Sequence, residues 1–159
     1  MFQTIVVEVS FSQLSIFWQG LEHPFNDWTD KHVLQGFAWR PGSVSFRTLV
    51  ETGLHSVKIS FVDRVESINV NAIRAIDVPF DMPTDASIEI GSIFDSTAIS
   101  LPAGQYLLRC EFLSGGKPDR QRVGLIFANK EIPRFAVLRA DDALRPENPL
   151  ITMAVAASN

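Results

Sequence analysis

Apolar residues recur at every second position over most of this chain, and their runs are rich in Val, Ile and Phe, which suit a pleated, half-buried surface. From Thr4 to Phe11 the positions Ile5, Val7, Val9 and Phe11 share one face. From Ser12 to Trp18 the alternation continues, with Leu14, Ile16 and Trp18 against polar Gln13 and Ser15. The same period returns over Ser43 to Val50 through Val44, Phe46, Thr48 and Val50, then at Val57, Ile59 and Phe61. Further strands are predicted over Ile73 to Phe80, Ser87 to Phe94, Gln105 to Leu113, Arg122 to Ala128 and Arg134 to Ala140. Turn signals separate them at Pro41-Gly42, Met82-Pro-Thr-Asp85, Leu101-Pro-Ala-Gly104 and Gly115-Gly-Lys-Pro118, the last read as a hairpin turn.

One stretch breaks the period. Asn26-Asp-Trp-Thr-Asp-Lys-His-Val-Leu-Gln-Gly36 predicts a short helix near residues 27–35, with Asn26 or Asp27 accepting from the free first-turn amides. Asp30 adds negative charge there, and Gly36 supplies the left-handed stop. About nine or ten strands with a single helix predict an all-β antiparallel sandwich, since a βαβ fold needs repeated helical segments. Residues 1–140 read as one domain. Residues 141–159, with two prolines, no clean period and an Ala-rich end, read as a loosely ordered C-terminal tail.

Composition supports one ordinary folded domain. Of 159 residues, 46% are hydrophobic and 20% charged, enough for a substantial core. The 18 acidic residues against 14 basic ones, a net charge of -4, argue against direct binding to phosphate backbones and toward a protein partner or a neutral ligand. Solubility alone is the plainer reading of that charge. The lone Cys110 excludes an intrachain disulfide and fits a reducing compartment. The N-terminal run carries Glu8 and no basic region, so no signal peptide is expected. No apolar stretch reaches the roughly 18 residues that a membrane span needs. The expectation is a cytoplasmic protein with no membrane insertion.

Catalytic and metal chemistry find no motif. His23, His32 and His55 occur singly, without the spacing that puts two imidazoles on one side of a strand or a helix turn. There is no Gly-x-Ser-x-Gly elbow, and Cys110 shares a strand face with Tyr106, Leu108 and Phe112, the pattern of a core residue. Gly115-Gly-Lys-Pro118 lacks the following helix that a phosphate cradle requires. No catalytic residue, metal site or cofactor is expected. The candidate surfaces are two. Trp28 and Trp39 flank the helix and read equally as core or as a stacking platform. An acidic edge drawn from Asp77, Asp81, Asp85, Glu89 and Asp95 is the other, with a solvated rim as its plainer reading. The residues taken as partner-binding candidates are Asp27, Trp28, Asp30, Trp39, Asp81 and Asp85.

Six blocks in fixed order give these candidates a context: Ser10-Phe-Ser-Gln-Leu-Ser-Ile-Phe17, Asn26-Asp-Trp-Thr-Asp30, Gly42-Ser-Val-Ser-Phe46, Ile76-Asp-Val-Pro-Phe80, Ile88-Glu-Ile-Gly-Ser-Ile93 and Leu101-Pro-Ala-Gly-Gln-Tyr-Leu-Leu-Arg-Cys110. Together the chain resembles the competence protein J (ComJ) family, also called the nuclease inhibitor Nin, over roughly residues 5–115. The resemblance implies a non-catalytic inhibitor that blocks a DNA-entry nuclease by direct contact, at the inner membrane face of competent bacteria. It brings no inhibitory residues to carry over. The segments after Gly115 and after Asp141 are longer than in the typical member. That keeps open an immunity protein against a nuclease toxin; separately, Trp28 and Trp39 leave open a carbohydrate-binding sandwich module, and the fold class alone a small hydrolase or isomerase on a jelly-roll-like frame. The sandwich edges leave a homodimer open.

Overall fold

In a computed structural model of the protein, which describes residues 1–117 and 119–158, two β-sheets face one another across a single apolar core. The strands are β1 (Phe2–Val9), β2 (Gln13–Trp18), β3 (Phe37–Arg40), β4 (Ser43–Arg47), β5 (Gly53–Val62), β6 (Ala72–Met82), β7 (Ala86–Gly91), β8 (Ser96–Leu101), β9 (Gly104–Lys117), β10 (Arg120–Ala128) and β11 (Ala136–Arg139), with helix α1 over Asp30–Gln35. One sheet has the order β1-β5-β10-β9-β6-β11, the other β3-β4-β2-β7-β8. Neighbours are antiparallel except β10, which lies parallel to β5.

The predicted all-β sandwich with one short helix is the observed fold. The two strands that periodicity missed are β3, four residues long, and β8, whose inward Ile99 and Leu101 alternate with Ala98 and Ser100. Gly115 to Lys117 belong to strand β9 rather than to a turn, and Pro118 lies outside the described residues. Phe11 also leaves its predicted face. Chain reversal begins there, and the ring is exposed.

The helix is shorter at its start than the sequence predicts. Thr29, not Asn26 or Asp27, is the N-cap: its hydroxyl accepts from the His32 amide while the Thr29 N–H donates to His32 Nδ1. Asn26 is unavailable for capping because its side-chain amide donates to the Ala38 and Ser43 carbonyls, locking the β3–β4 hairpin. Asp27 is held extended by its N–H bond to the Val155 carbonyl. Gly36 does end the helix at φ 89°, and a Cβ there would lie 2.9 Å from the Leu144 side chain.

Residues 141–158, expected to hang as a loose tail, pack back across the domain. Leu144 enters the core, the Arg145 N–H donates to Leu34, Ile151 exchanges two bonds with the Gln35 amide, and the Ala154 N–H donates to Trp39. Apolar residues spaced for neither helix nor strand leave no period, yet Leu144 and Ala154 are buried against the existing surface.

Strand β9 explains a second departure from simple alternation. Its inward face carries Tyr106, Leu108, Cys110 and Phe112 as expected, but the outward Arg109 and Glu111 are also buried. The connections at 63–71 and 129–135 fold over them. Arg109 Nη1 donates to the Glu66 carbonyl, Glu111 accepts from the Asn69 N–H, and Glu131 accepts from the Val65 N–H. Buried charge is tolerable here because it is paired: Asp77, wholly buried on β6, receives Arg109 in two bonds of 2.8 and 3.0 Å and Arg134 at 2.8 Å.

Candidate partner-binding surface

Of the six residues singled out by sequence, Trp39, Asp81 and Asp85 fall at one end of the sandwich, where β2 and β6 stop and β7 begins, whereas Asp27, Trp28 and Asp30 lie around the start of α1. Trp18, the last residue of β2, donates its indole N–H to the Asp81 carbonyl at 2.9 Å, and Trp39 donates its own to the Pro79 carbonyl at 2.7 Å. These bonds cap the free edge of β6 beyond its pairing with β11 and tie the two sheets together. Trp39 also meets the Phe135 ring edge-on at 5.0 Å. It is therefore part of the scaffold, with its polar atom spent and its face covered. Trp28 is half-buried and sits edge-on to His32 at 6.4 Å, with its indole N–H unpartnered.

Asp27, Asp30, Asp81 and Asp85 are exposed. Asp85 uses one oxygen to accept from the Ala103 N–H, 2.7 Å away, closing the turn between β8 and β9. Asp77, part of the predicted acidic edge, is not on it, because its carboxylate is the buried anchor of Arg109 and Arg134. Nor does Asp95 join this end. It lies beyond the far end of β7, and Glu89, midway along that strand, accepts from the Ser96 hydroxyl.

Titratable groups inside the protein are committed to structure. Burial lowers the pKa of His32, opposed by the neighbouring Met153 carbonyl, and lowers that of His55, opposed by the Gly53 carbonyl, so both stay neutral near pH 7. Burial pushes the Cys110 thiol well up, with Arg74 opposing and Glu111 adding to the shift, which keeps it protonated and unreactive. Among the described residues no three His, Cys, Asp or Glu side chains converge to hold a metal ion.

A concavity lies elsewhere, on the outer face of the six-stranded sheet. It encloses about 860 Å³ between Lys58, Ser60, Arg122 and Gly124 on the strands and Arg64 and Glu66 on the covering connection. Its charges balance, with Lys58, Arg64 and Arg122 against Asp63, Glu66 and Glu111, so it has no sign with which to attract a charged partner.

Sequence reasoning missed one exposed feature. Phe11 and Phe94, placed in strands by their period, stand on turns at the end opposite Asp81 and Asp85 and are 61% and 80% exposed. Phe11 and Ser12 have φ of 56° and 59°, the left-handed pair of a two-residue turn that Asn-Gly ordinarily fills. For residues with a Cβ that conformation costs roughly 1–2 kcal/mol each. No Gly, Asn or Pro marks the spot, which is why it reads as a continuous strand.

A profile of the competence protein J (ComJ) family matches residues 6–129. The DNA-entry nuclease inhibitor of Bacillus subtilis (strain 168) is 31% identical over 107 residues, covering 65% of this chain and 76% of that protein. Among solved structures, ComJ from Bacillus subtilis, described as an inhibitor of the DNA degrading activity of NucA, superposes with a TM-score of 0.65. It is 22% identical, over 80% of this chain and 95% of that one. A protein described as crocagin biosynthetic gene J superposes with a TM-score of 0.56 at 15% identity, over 79% of this chain and 96% of that one. Both solved structures share the fold.

Proposed function

This chain belongs to the competence protein J (ComJ) family, and on that premise we propose that it is a non-catalytic inhibitor that blocks a DNA-degrading nuclease by direct protein contact. The observation that carries the reading is 31% identity across three-quarters of a relative named for inhibiting a DNA-entry nuclease. The chemistry of the interior agrees with it: the thiol is held protonated in the core and two imidazoles serve packing, so binding is what the surface has to offer. The inhibitor works in the cytoplasm and reaches the inner membrane face through its nuclease. A glycan platform built from Trp28 and Trp39 has less support, because the Trp39 indole is already engaged by Pro79 and Phe135. An immunity protein against a nuclease toxin would use the same contact logic with another nuclease.

The test is stoichiometric inhibition. Protein is titrated into digestion of duplex DNA by NucA and by the NucA homologue of this protein's own genome. Digestion should stop at a fixed molar ratio, and undiminished digestion by both at saturating protein would sink the proposal.

A nuclease grips DNA with basic groups, so the acidic charge of the whole protein, net -4 and including the exposed carboxylates of Asp81 and Asp85, should speed its encounter. Asp81→Lys combined with Asp85→Lys is expected to slow association several-fold at low salt and to flatten its salt dependence, with dissociation little changed. Stopped-flow binding at several ionic strengths checks this. An unchanged rate would remove these carboxylates from the encounter.

A further inference from the structure

At the end of the sandwich opposite Asp81 and Asp85, two tight turns are fastened side by side. In the β1–β2 turn, Ser10 bridges to Gln13 around the left-handed Phe11 and Ser12. In the β7–β8 turn, the Ser92 N–H donates to the Asp95 carbonyl at 2.6 Å. Gly91 permits that closure, since a Cβ there would stand 2.1 Å from the same oxygen.

Ser92 pins the two together. Its buried hydroxyl accepts from the Ser10 N–H at 2.9 Å and lies within donating reach of the Ser10 and Gln13 carbonyls, at 3.1 and 2.8 Å. Asp95 adds a bond of 2.8 Å from the Glu8 N–H, and the backbone of Ser12 is bonded to Glu51 and Thr48. Three segments of chain, 8–13, 48–51 and 91–95, are thus fixed around one spot, and what they hold out to solvent is apolar. The Phe11 and Phe94 rings lie 6.4 Å apart at 52°.

Rings of this kind can bury much area on association at little entropic cost, because their backbone is already immobile. Three carboxylates belong to the fastened segments. Glu8, Glu51 and Asp95 are exposed, and none pairs with a cation among the described residues. An apolar centre in an acidic rim fits a partner surface that is basic around an apolar depression, and a surface that grips phosphates is basic.

We propose that Phe11 and Phe94, ringed by Glu8, Glu51 and Asp95, form the anchor by which this protein seats on the basic, phosphate-gripping face of its nuclease. The proposal rests on the nuclease-inhibitor reading and adds the contact surface to it. The local strain fits this assignment: a left-handed Phe-Ser pair is maintained where Asn-Gly would fold more comfortably, and the residue retained at strain is the one that carries an exposed ring.

The experiment uses whichever of NucA or its homologue from the same genome the wild-type protein inhibits. Phe94→Ser, and separately Phe11→Asn with Ser12→Gly, should each raise the dissociation rate about 30-fold or more while association changes little. The turn variant should melt at or above the wild-type temperature, by about 2–4 °C, because it relieves the turn, so misfolding cannot explain its weaker binding. Wild-type dissociation rates in both variants would overturn the anchor while leaving inhibition itself intact. Failure of the wild-type protein to inhibit either nuclease would overturn the functional reading and this proposal with it. A wild-type dimer that Phe94→Ser converts to monomer would also overturn it, by assigning the rings to a second copy of this chain.

Discussion

Ending the chain after Ala140 should cost on the order of 5 kcal/mol or more, enough to leave most of the protein unfolded at 25 °C. The reason is Arg74. Its side chain is 1% exposed, lies over the Phe112 ring at 5.6 Å, and donates to Asp141 through Nε at 2.7 Å and Nη2 at 3.0 Å. Without Asp141 the guanidinium would stay in the core with one carbonyl, that of Arg47, for company. A buried charge stripped of its partner typically costs about 3–5 kcal/mol. Loss of Leu144 adds a cavity of the kind that costs roughly 2–5 kcal/mol, partly relieved because the site opens to water. Urea denaturation of the truncated and full-length chains checks this. A truncated protein with the full-length midpoint would mean that residues 141–159 are a dispensable tail after all.

The same ion pair sets a pH dependence. Burial pushes the Asp141 carboxyl up, but the hydrogen bond and charge of Arg74 outweigh it, and the net pKa lies below the ordinary value. A carboxyl depressed in the folded state contributes stability that is fully present above the unfolded pKa, about 3.9, and is lost as pH falls through the lower folded value. Asp141→Asn should therefore lower stability at neutral pH and flatten the fall in stability on acidification through that interval.

The second large effect is at Asp77. Asp77→Ala is expected to destabilise by about 3–5 kcal/mol, since Arg109, 5% exposed, would lose both bonds to its paired carboxylate while still buried beneath the 63–71 connection. The Arg109 pKa is raised, first by the hydrogen bond to Asp77 and against the pull of burial, so shedding its proton offers no escape. Adding Arg109→Met to Asp77→Ala should recover most of the loss, because two apolar groups of similar size need no pairing. The denaturation midpoints of the two single variants and the double variant measure the coupling. Additive losses would mean that Arg109 gains little from Asp77.

Much of this was legible in the order of residues. Alternation at Leu14 and Ile16, at Val57 and Ile59, and at Tyr106 through Phe112 fixes which side chains face the core, because a strand has only two faces and water rewards one choice. The helix could be read from its polar start and its terminal glycine. The cap itself could not, since Asn26, Asp27 and Thr29 are all competent, and choosing among them depended on what β3, β4 and Val155 had already claimed. Alternation was likewise silent about Arg109 and Glu111, which occupy outward positions and become buried only because distant connections fold over them.

The candidate binding residues divide in the same way. Chemistry alone marks tryptophans and aspartates as able to contact a partner, but whether Trp39 is free is settled by the Pro79 carbonyl forty positions on, and whether Asp77 is on the surface by Arg109 and Arg134. Phe11 and Phe94 carry no sequence mark at all. They share a surface because Ser92 fastens one turn to another eighty residues away in the chain. The sequence by itself determined the class of fold and the strand residues that line the core, which follow from local period, and the family, which its six blocks carry. Only the tertiary structure decided which polar groups are spent, which segment closes over Arg74 and which rings remain in water, because each is an outcome of competition among groups that the chain keeps far apart.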